Sequence, residues 1–421
     1  MNRLMKPYPR LARGVLAATI CGASLSALAA QAGQWAASWG TALVPASAKA
    51  ALHDDERADV TLRQVVRLSL GGQALRVKVS NLYGSEPLVI GAATVANGAA
   101  GSPALAGQPT LLHFGGARGI TLAPGEELSS DPVDMQVAGG ADLAISFYLK
   151  SAPAQQSIHT AAHATQFIGT GDQASAPGIA AARRVTSWFQ LAGVDVLPAS
   201  AAPVVVAIGD SITDGTGSTT DGNDRWTDAL QARLAQAHTP AAVINAGIGG
   251  NRMLREDTGP PVATRFERDV LGRAGVTHAV VLIGVNDLGR LHRGSGETPE
   301  ARARLLRELK SAWHDLVRRA HAQGVCVIAG TLTPYRDSRL YRPQPYNEED
   351  RQALNQWLRD APMFDGVADF DAAVRDPSAE NKLLPAFDMG DHLHLSPEGL
   401  RAMAGALPLE RLAPCPASAD R

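Results

Sequence analysis

Val204-Val205-Val206-Ala207-Ile208-Gly209-Asp210-Ser211-Ile212-Thr213-Asp214-Gly215 is the stretch on which the reading of this chain turns. A short continuous run of apolar, mostly β-branched residues is the pattern of a strand buried on both faces, as in a parallel sheet. Gly209-Asp210-Ser211 is turn chemistry, so the strand stops there and leaves Ser211 at its carboxyl end. In open α/β sheets that edge is where ligands bind. A serine presented there is a candidate nucleophile, but it needs a base. An isolated Gly-Asp-Ser is equally a helix-capping turn, so its meaning depends on the rest of the chain.

Downstream the pattern alternates between strand and helix. Strands are expected over 241–245, 278–283, 325–331 and 366–370. Amphipathic helices are expected over 225–237, 299–323 and 348–358, the second carrying Leu305, Leu309, Trp313 and Leu316 at helical spacing. A last helix opens at Ser396-Pro397, with serine as cap and proline in the first turn. Alternating βα units predict a parallel, doubly wound sheet with right-handed crossovers.

Several strand ends carry polar residues. Asn245-Ala-Gly-Ile-Gly-Gly-Asn-Arg252 combines glycines, which let a backbone N–H approach a ligand, with a neutral amide at Asn251. Gly284-Val-Asn-Asp287 offers a second amide, and Asp391-His-Leu-His394 follows far downstream. Acyl transfer needs a nucleophile, a base with an orienting carboxylate, and neutral donors for the tetrahedral oxyanion. Ser211, the Asp391/His394 pair, and Gly250 with Asn286 supply these three requirements. Within Asp388-Met-Gly-Asp-His-Leu-His394 two aspartates and two histidines compete. In an extended loop His392 and His394 share a side, so parity does not separate them. Reach favours Asp391 with His394, because two intervening residues allow a turn, while Asp388 with His392 is the alternative pair.

Upstream, residues 31–200 have period two: Leu75, Val77 and Val79 alternate with Arg76, Lys78 and Ser80. Strands are expected over 60–70, 88–96, 109–114 and 141–149, with Gly71-Gly72, Tyr83-Gly84 and Pro124-Gly125 as turns. That composition indicates an all-β sandwich of jelly-roll type. His159 and His163 lie four apart in strand or loop surroundings, which does not favour a metal pair. Ala199-Ser-Ala-Ala-Pro203 is a small-residue linker, so the expected organisation is a leader over 1–30, a β-sandwich over 31–200 and a catalytic α/β domain over 201–421.

The leader reading rests on Lys6, Arg10 and Arg13, an apolar stretch over 14–28, and Ala27-Leu28-Ala29 as a small-x-small cleavage pattern. The apolar stretch is shorter than the roughly 20 residues of a spanning helix. A secreted or periplasmic protein, not stably inserted in a membrane after cleavage, is therefore expected. Of 421 residues, 45% are hydrophobic and 19% charged, with a formal net charge of −2. Such a composition fills sizeable cores and gives no reason to expect nucleic-acid binding. Past the leader, Cys326 lies in an apolar strand pattern and reads as a buried thiol, and Cys415 lies between two prolines. Export permits them to pair, and their spacing leaves that open. No cysteine or histidine spacing resembles a zinc site.

Gly209-Asp-Ser-Ile-Thr-Asp-Gly215, Gly249-Gly250-Asn251, Gly284-Val-Asn-Asp287 and Asp391-x-x-His394 together resemble the four block motifs of the GDSL/SGNH hydrolases. Arg225-Trp226, Gly250-Asn251-Arg252, Arg265-Phe266-Glu-Arg-Asp269 and Gly390-Asp-His-Leu-His394 resemble that family's secreted, xylan-esterase-like branch. Trp35-Ala-Ala-Ser-Trp39 and Arg76-Val-Lys-Val-Ser-Asn81 are similar to the companion β-domain of that branch. The resemblance implies a flavodoxin-like three-layer α/β/α sandwich of the SGNH type that requires neither metal nor organic cofactor. It implies Ser211 as nucleophile, His394 as base and Asp391 as its orienter. The oxyanion hole would comprise the N–H groups of Ser211 and Gly250 and the amide of Asn286, although the glycine-rich turn leaves open which glycine donates. Asp210, Asn251, Trp226 and His392 are the further candidates for substrate contact. The expected activity is removal of small acyl groups, acetyl above all, from carbohydrate. A lipase, lysophospholipase or thioesterase would use the same residues, and a glycan-binding protein with a relic hydrolase domain is the reading of another class.

Overall fold

The computed structural model describes residues 34–294 and 297–415. The leader over 1–30, with its cleavage pattern, lies outside the described residues.

Five parallel strands form the carboxyl-terminal sheet, in the spatial order Ala242–Gly247, Val204–Gly209, Val276–Leu282, Cys326–Gly330 and Gly366–Ala368. This is the 2-1-3-4-5 order of flavodoxin-like sheets, with its topological switch between the first and third strands in sequence. Ser211 follows the first strand there. All six residues of Val204–Gly209 are buried, as their unbroken apolar run requires. The longer helices of this region fall into two packed groups. Trp226–Gln236 packs with Pro397–Ala406, while Pro299–Ala322 packs with Val285–His292 and Pro345–Asp360. Ser396 accepts from the N–H of Gly399 and so caps the last long helix.

The amino-terminal region is all antiparallel β. One sheet runs Ala36–Gly40, Leu191–Val196, Leu75–Ser80, Glu127–Ser129. A larger one runs Arg183–Val185, Gln166–Thr170, Val60–Arg67, Asp142–Ser151, Leu88–Asn97, Ala106–Leu111, with Ile120–Leu122 also on Leu88–Asn97. A third, of three short strands, pairs Ser157–His159 with Trp188–Phe189 and with Val44–Pro45. Leu75, Val77 and Val79 point inward and are buried, as the alternation predicts. The strand expected over 109–114 instead spans Ala106–Leu111, and Phe114 makes only an isolated bridge to Ala117. Gly115 and Gly116, both at positive φ, turn the chain just beyond it.

A single apolar cluster runs through both regions, from Ala36 to Leu412. Polar bonds follow the same path. Arg273 donates to the carbonyls of Ala192 (2.9 Å) and Thr41 (2.6 Å). The Ala37 N–H donates to Ala274 O at 2.8 Å. Among the described residues no helix is long and apolar enough to cross a membrane.

Cys326, on the fourth strand, is joined to Cys415 by a disulfide whose Cα atoms are 5.8 Å apart. The expected buried thiol is therefore a half-cystine. The bond closes a loop of 89 residues and pins the carboxyl-terminal segment to the sheet. Loop-closure entropy makes Cys415→Ser destabilising by about 2–4 kcal/mol. Denaturant unfolding of the oxidised parent and the variant should show this as a lower midpoint, with reductant removing the difference.

Candidate active site

Asp210 follows the first strand and caps a single helical turn, Ser211–Asp214, by accepting the Ile212 N–H at 3.1 Å. Gly215, left-handed, closes the turn with its N–H on Ser211 O. Ser211 is thus the first helical residue, its N–H without an intrahelical partner.

The partner loop comes from the far end of the chain. Asp391 Oδ1 accepts the N–H groups of Leu393 (3.0 Å) and His394 (2.8 Å), and Oδ2 lies 2.6 Å from His394 Nδ1. His394 Nε2 lies 2.8 Å from Ser211 Oγ. The ring is thereby held with Nδ1–H toward the carboxylate and Nε2 toward the hydroxyl, the orientation a general base requires. Burial on its own would raise the Asp391 carboxyl, but the hydrogen bonds from the His394 ring and the two backbone N–H groups bring it down to about 2. Gly217 lets this loop approach: a Cβ there would sit 2.0 Å from Leu395 O.

Asp388 and His392 form a separate pair. Asp388 accepts the N–H groups of Gly390 and His392 and meets His392 Nδ1. His392 has φ +61, so the loop is not extended and the shared-side argument for the two histidines fails. Half-exposed, His392 lines a surface cavity of about 340 Å³ with Arg336, Asp337 and Lys382.

The oxyanion candidates converge from two strand ends. The Gly249 N–H donates to Asp214 Oδ2 at 2.8 Å and is thereby engaged. Gly250, at φ +74, keeps its N–H unengaged among the described residues. Of the glycines left open by the sequence, the free donor is Gly250. Asn286, in the first turn of Val285–His292, donates through Nδ2 to Asn251 O at 2.7 Å, leaving its second amide hydrogen available. Its Oδ1 accepts the Tyr341 hydroxyl. That bond fixes which end of the amide faces the site.

Three of the four expected substrate contacts are corrected. Asp210, Asn251 and Trp226 each have 0% exposure, so no substrate can touch them. Asp210 is consumed by the turn. Asn251 accepts from Arg265 Nε at 3.0 Å and donates to Pro260 O at 3.0 Å. Trp226 packs its ring 5.4 Å from Phe370. Sequence reasoning missed Tyr341 and the His159–Asp214 pair, because nothing in the spacing of either marks a contact across 55 residues. Among the described residues the metal-ligating side chains that cluster are His278, Cys326 and Cys415, and the disulfide occupies both sulfurs.

A serine, histidine and aspartate in hydrogen-bonded line at the carboxyl edge of a 2-1-3-4-5 sheet define an SGNH-type fold and an ester hydrolase. Residues 207–402 match the model of the GDSL-like lipase/acylhydrolase family. No curated protein matches the chain. Among solved structures it is similar to a GDSL-like lipase from Bacteroides thetaiotaomicron, at 17% identity over 49% of this chain and 87% of that one, with a TM-score of 0.36. It is similar to an acetylxylan esterase from Geobacillus stearothermophilus, at 19% identity over 51% and 96% of the two chains, TM-score 0.37. A third is an α/β hydrolase enzyme from the metagenome of Lake Arreo, at 22% identity over 50% and 96%, TM-score 0.36.

Two consequences are measurable. Tyr341→Phe removes the bond that fixes the Asn286 amide, and the worth of one hydrogen bond makes the expected loss in kcat roughly 2- to 10-fold with KM little changed. Steady-state kinetics on a short ester checks it. The second concerns Asp210, whose carboxyl is raised to about 7, chiefly by burial. A raised folded-state pKa stabilises the protein below the unfolded value near 3.8, and that contribution is lost as pH rises through 7. Melting temperatures of Asp210→Asn and the parent, measured from pH 4 to 8, should therefore diverge in favour of the variant as pH rises.

Proposed function

We propose that this protein is an exported serine esterase that removes small acyl groups, principally acetyl, from carbohydrate, with Ser211, His394 and Asp391 as its catalytic residues. The observation that carries the reading is the unbroken line from Asp391 Oδ2 to His394 Nδ1 (2.6 Å) and from His394 Nε2 to Ser211 Oγ (2.8 Å). His394 Nε2 takes the hydroxyl proton as Ser211 Oγ forms a bond to the ester carbonyl carbon. The oxygen that becomes negative accepts from the N–H groups of Ser211 and Gly250 and from Asn286 Nδ2. Asp391 stabilises the imidazolium without taking its proton. Collapse breaks the carbon–oxygen bond to the sugar, whose alkoxide leaves with the proton from His394. Water, activated by the same nitrogen, then hydrolyses the acyl-serine to the free acid.

The small-acyl reading is supported by the resemblance of Gly250-Asn251-Arg252 and Gly390-Asp-His-Leu-His394 to the xylan-esterase-like branch. Export is supported by the leader pattern over 1–30.

Ser211→Ala and His394→Ala are expected to abolish hydrolysis of p-nitrophenyl acetate with folding intact by circular dichroism. Asp391→Asn should cost less but substantially, and His392→Ala should retain most activity. Acetate release from acetylated xylan should accompany a kcat/KM for the acetate ester well above that for the decanoate. A decanoate preference would end the small-acyl reading, and a fully active Ser211→Ala would end the mechanism.

A further inference from the structure

His159 and Asp214 are an ion pair that the mechanism above does not use. Both are buried, and Nε2 lies 2.9 Å from Asp214 Oδ1. His159 belongs to the short strand Ser157–His159 of the amino-terminal region, whereas Asp214 lies in the helical turn that begins at Ser211. The other ring nitrogen, Nδ1, lies 2.9 Å from Ala42 O, a carbonyl that can only accept. Both nitrogens therefore face acceptors, and the ring is an imidazolium. Burial opposes that charge, but the Asp214 carboxylate outweighs it and holds the His159 pKa above its ordinary value. The other charged group close by is Arg225, whose Nε donates to Asp214 O at 3.2 Å.

Asp214 has a second oxygen, and this oxygen accepts the Gly249 N–H at 2.8 Å. We propose that His159 is a positioning residue for the oxyanion turn, acting through Asp214 to fix the direction of the Gly250 N–H; the proposal rests on the esterase reading above. The Asn251 N–H closes the turn on Ile248 O at 3.0 Å, but the two adjacent glycines inside it have wide conformational freedom, so the tilt of their peptide planes needs further anchors. Its first peptide plane is anchored where Asp214 takes the Gly249 N–H. The next plane, which carries Gly249 C=O and Gly250 N–H, is anchored by Thr258 Oγ1, donating to Gly249 O at 2.5 Å. A trans peptide points its C=O and N–H in opposite directions, so a donor on Gly249 O turns the Gly250 N–H away from Thr258. The Asp214 anchor is only as firm as Asp214 itself, and a carboxylate in an apolar interior without its cation would draw water or rotate. The imidazolium keeps it in place. On this account the β region contributes a charge to the geometry of the active site.

The experiment uses the full chain, p-nitrophenyl acetate, and methylboronic acid, whose tetrahedral adduct on Ser211 sets an oxygen among the oxyanion donors. His159→Ala is expected to lower kcat roughly 10- to 100-fold, the cost of misplacing a catalytic group by about 1 Å, with KM nearly unchanged. Boronate affinity should fall by the same factor. His159→Gln, whose amide can still donate to Asp214, should recover part of both, and Asp214→Asn, which keeps an oxygen for Gly249, should exceed Asp214→Leu. If circular dichroism shows His159→Ala unfolded, His159→Gln against the parent and Asp214→Asn against Asp214→Leu decide. A folded His159 variant with parental kcat and boronate affinity overturns the proposal. Ser211→Ala separates the two levels: if it is inactive while the His159 variants behave as the parent, only this inference falls, and if it is active the esterase reading falls first.

Discussion

The side chain of Arg265 is buried completely, and the ground of the site depends on what it holds. Nε donates to Asn251 Oδ1 at 3.0 Å, Nη1 to Ala246 O at 2.7 Å, and Nη2 to Gly209 O at 2.9 Å. Gly209 ends the strand that delivers Ser211, Ala246 lies at the end of the neighbouring strand, and Asn251 closes the turn that carries Gly250. One planar guanidinium therefore sets the nucleophile strand and the oxyanion turn at a fixed separation. Burial pulls the Arg265 pKa down, and Asp269, at 3.1 Å from Nη1, is the compensating charge. Asp269 is shared with Arg268, so the charge is neutralised from two sides. Without the guanidinium, two buried carbonyls and an amide oxygen would each lose a donor together, Gly209 O keeping the Ile248 N–H.

The parallel sheet was legible because its strands are buried on both faces and so read as unbroken apolar runs. Val204–Gly209 needed no other signal. The hydrogen-bonded line was legible for a different reason: Ser211, Asp391 and His394 are chemically specific residues in local motifs, and Asp391 reaches His394 across a turn of two residues. Tyr341 was not legible. A tyrosine in an irregular stretch becomes important only when its hydroxyl meets Asn286, and no local pattern encodes that meeting. The three failed substrate contacts are turned inward by different partners: Asp210 caps its own turn, Asn251 bonds Arg265 and Pro260 O, and Trp226 opens a helix and packs on Phe370.

The loop from Asp388 to Ser396 shows how a crowded motif sorts itself. Each aspartate receives backbone N–H groups from residues just ahead of it, so each sets up its own small turn. The positive φ of His392 then rotates that ring out of register with His394. Parity reasoning assumed an extended backbone, and the two nested turns removed it. What survived was the argument from reach, which depends only on the number of residues a carboxylate must span.

The two regions are held together by donors that mostly come from the α/β side. Arg273 meets the carbonyls of Thr41 and Ala192, Arg225 meets Ala162 O, and Arg268 meets the Tyr83 hydroxyl. A guanidinium stays charged at any pH a folded protein meets, so these contacts do not respond to pH. His159–Asp214 differs in both respects. Its cation comes from the β side, and it titrates. Because its folded-state pKa is raised, the stability it adds is present below about 6.5 and is lost as pH rises through the folded value. The arginines can thus keep the regions docked while the histidine loses its charge. On the positioning role proposed for His159, loss of the ring's charge would weaken its hold on Asp214 while the arginine contacts stay in place.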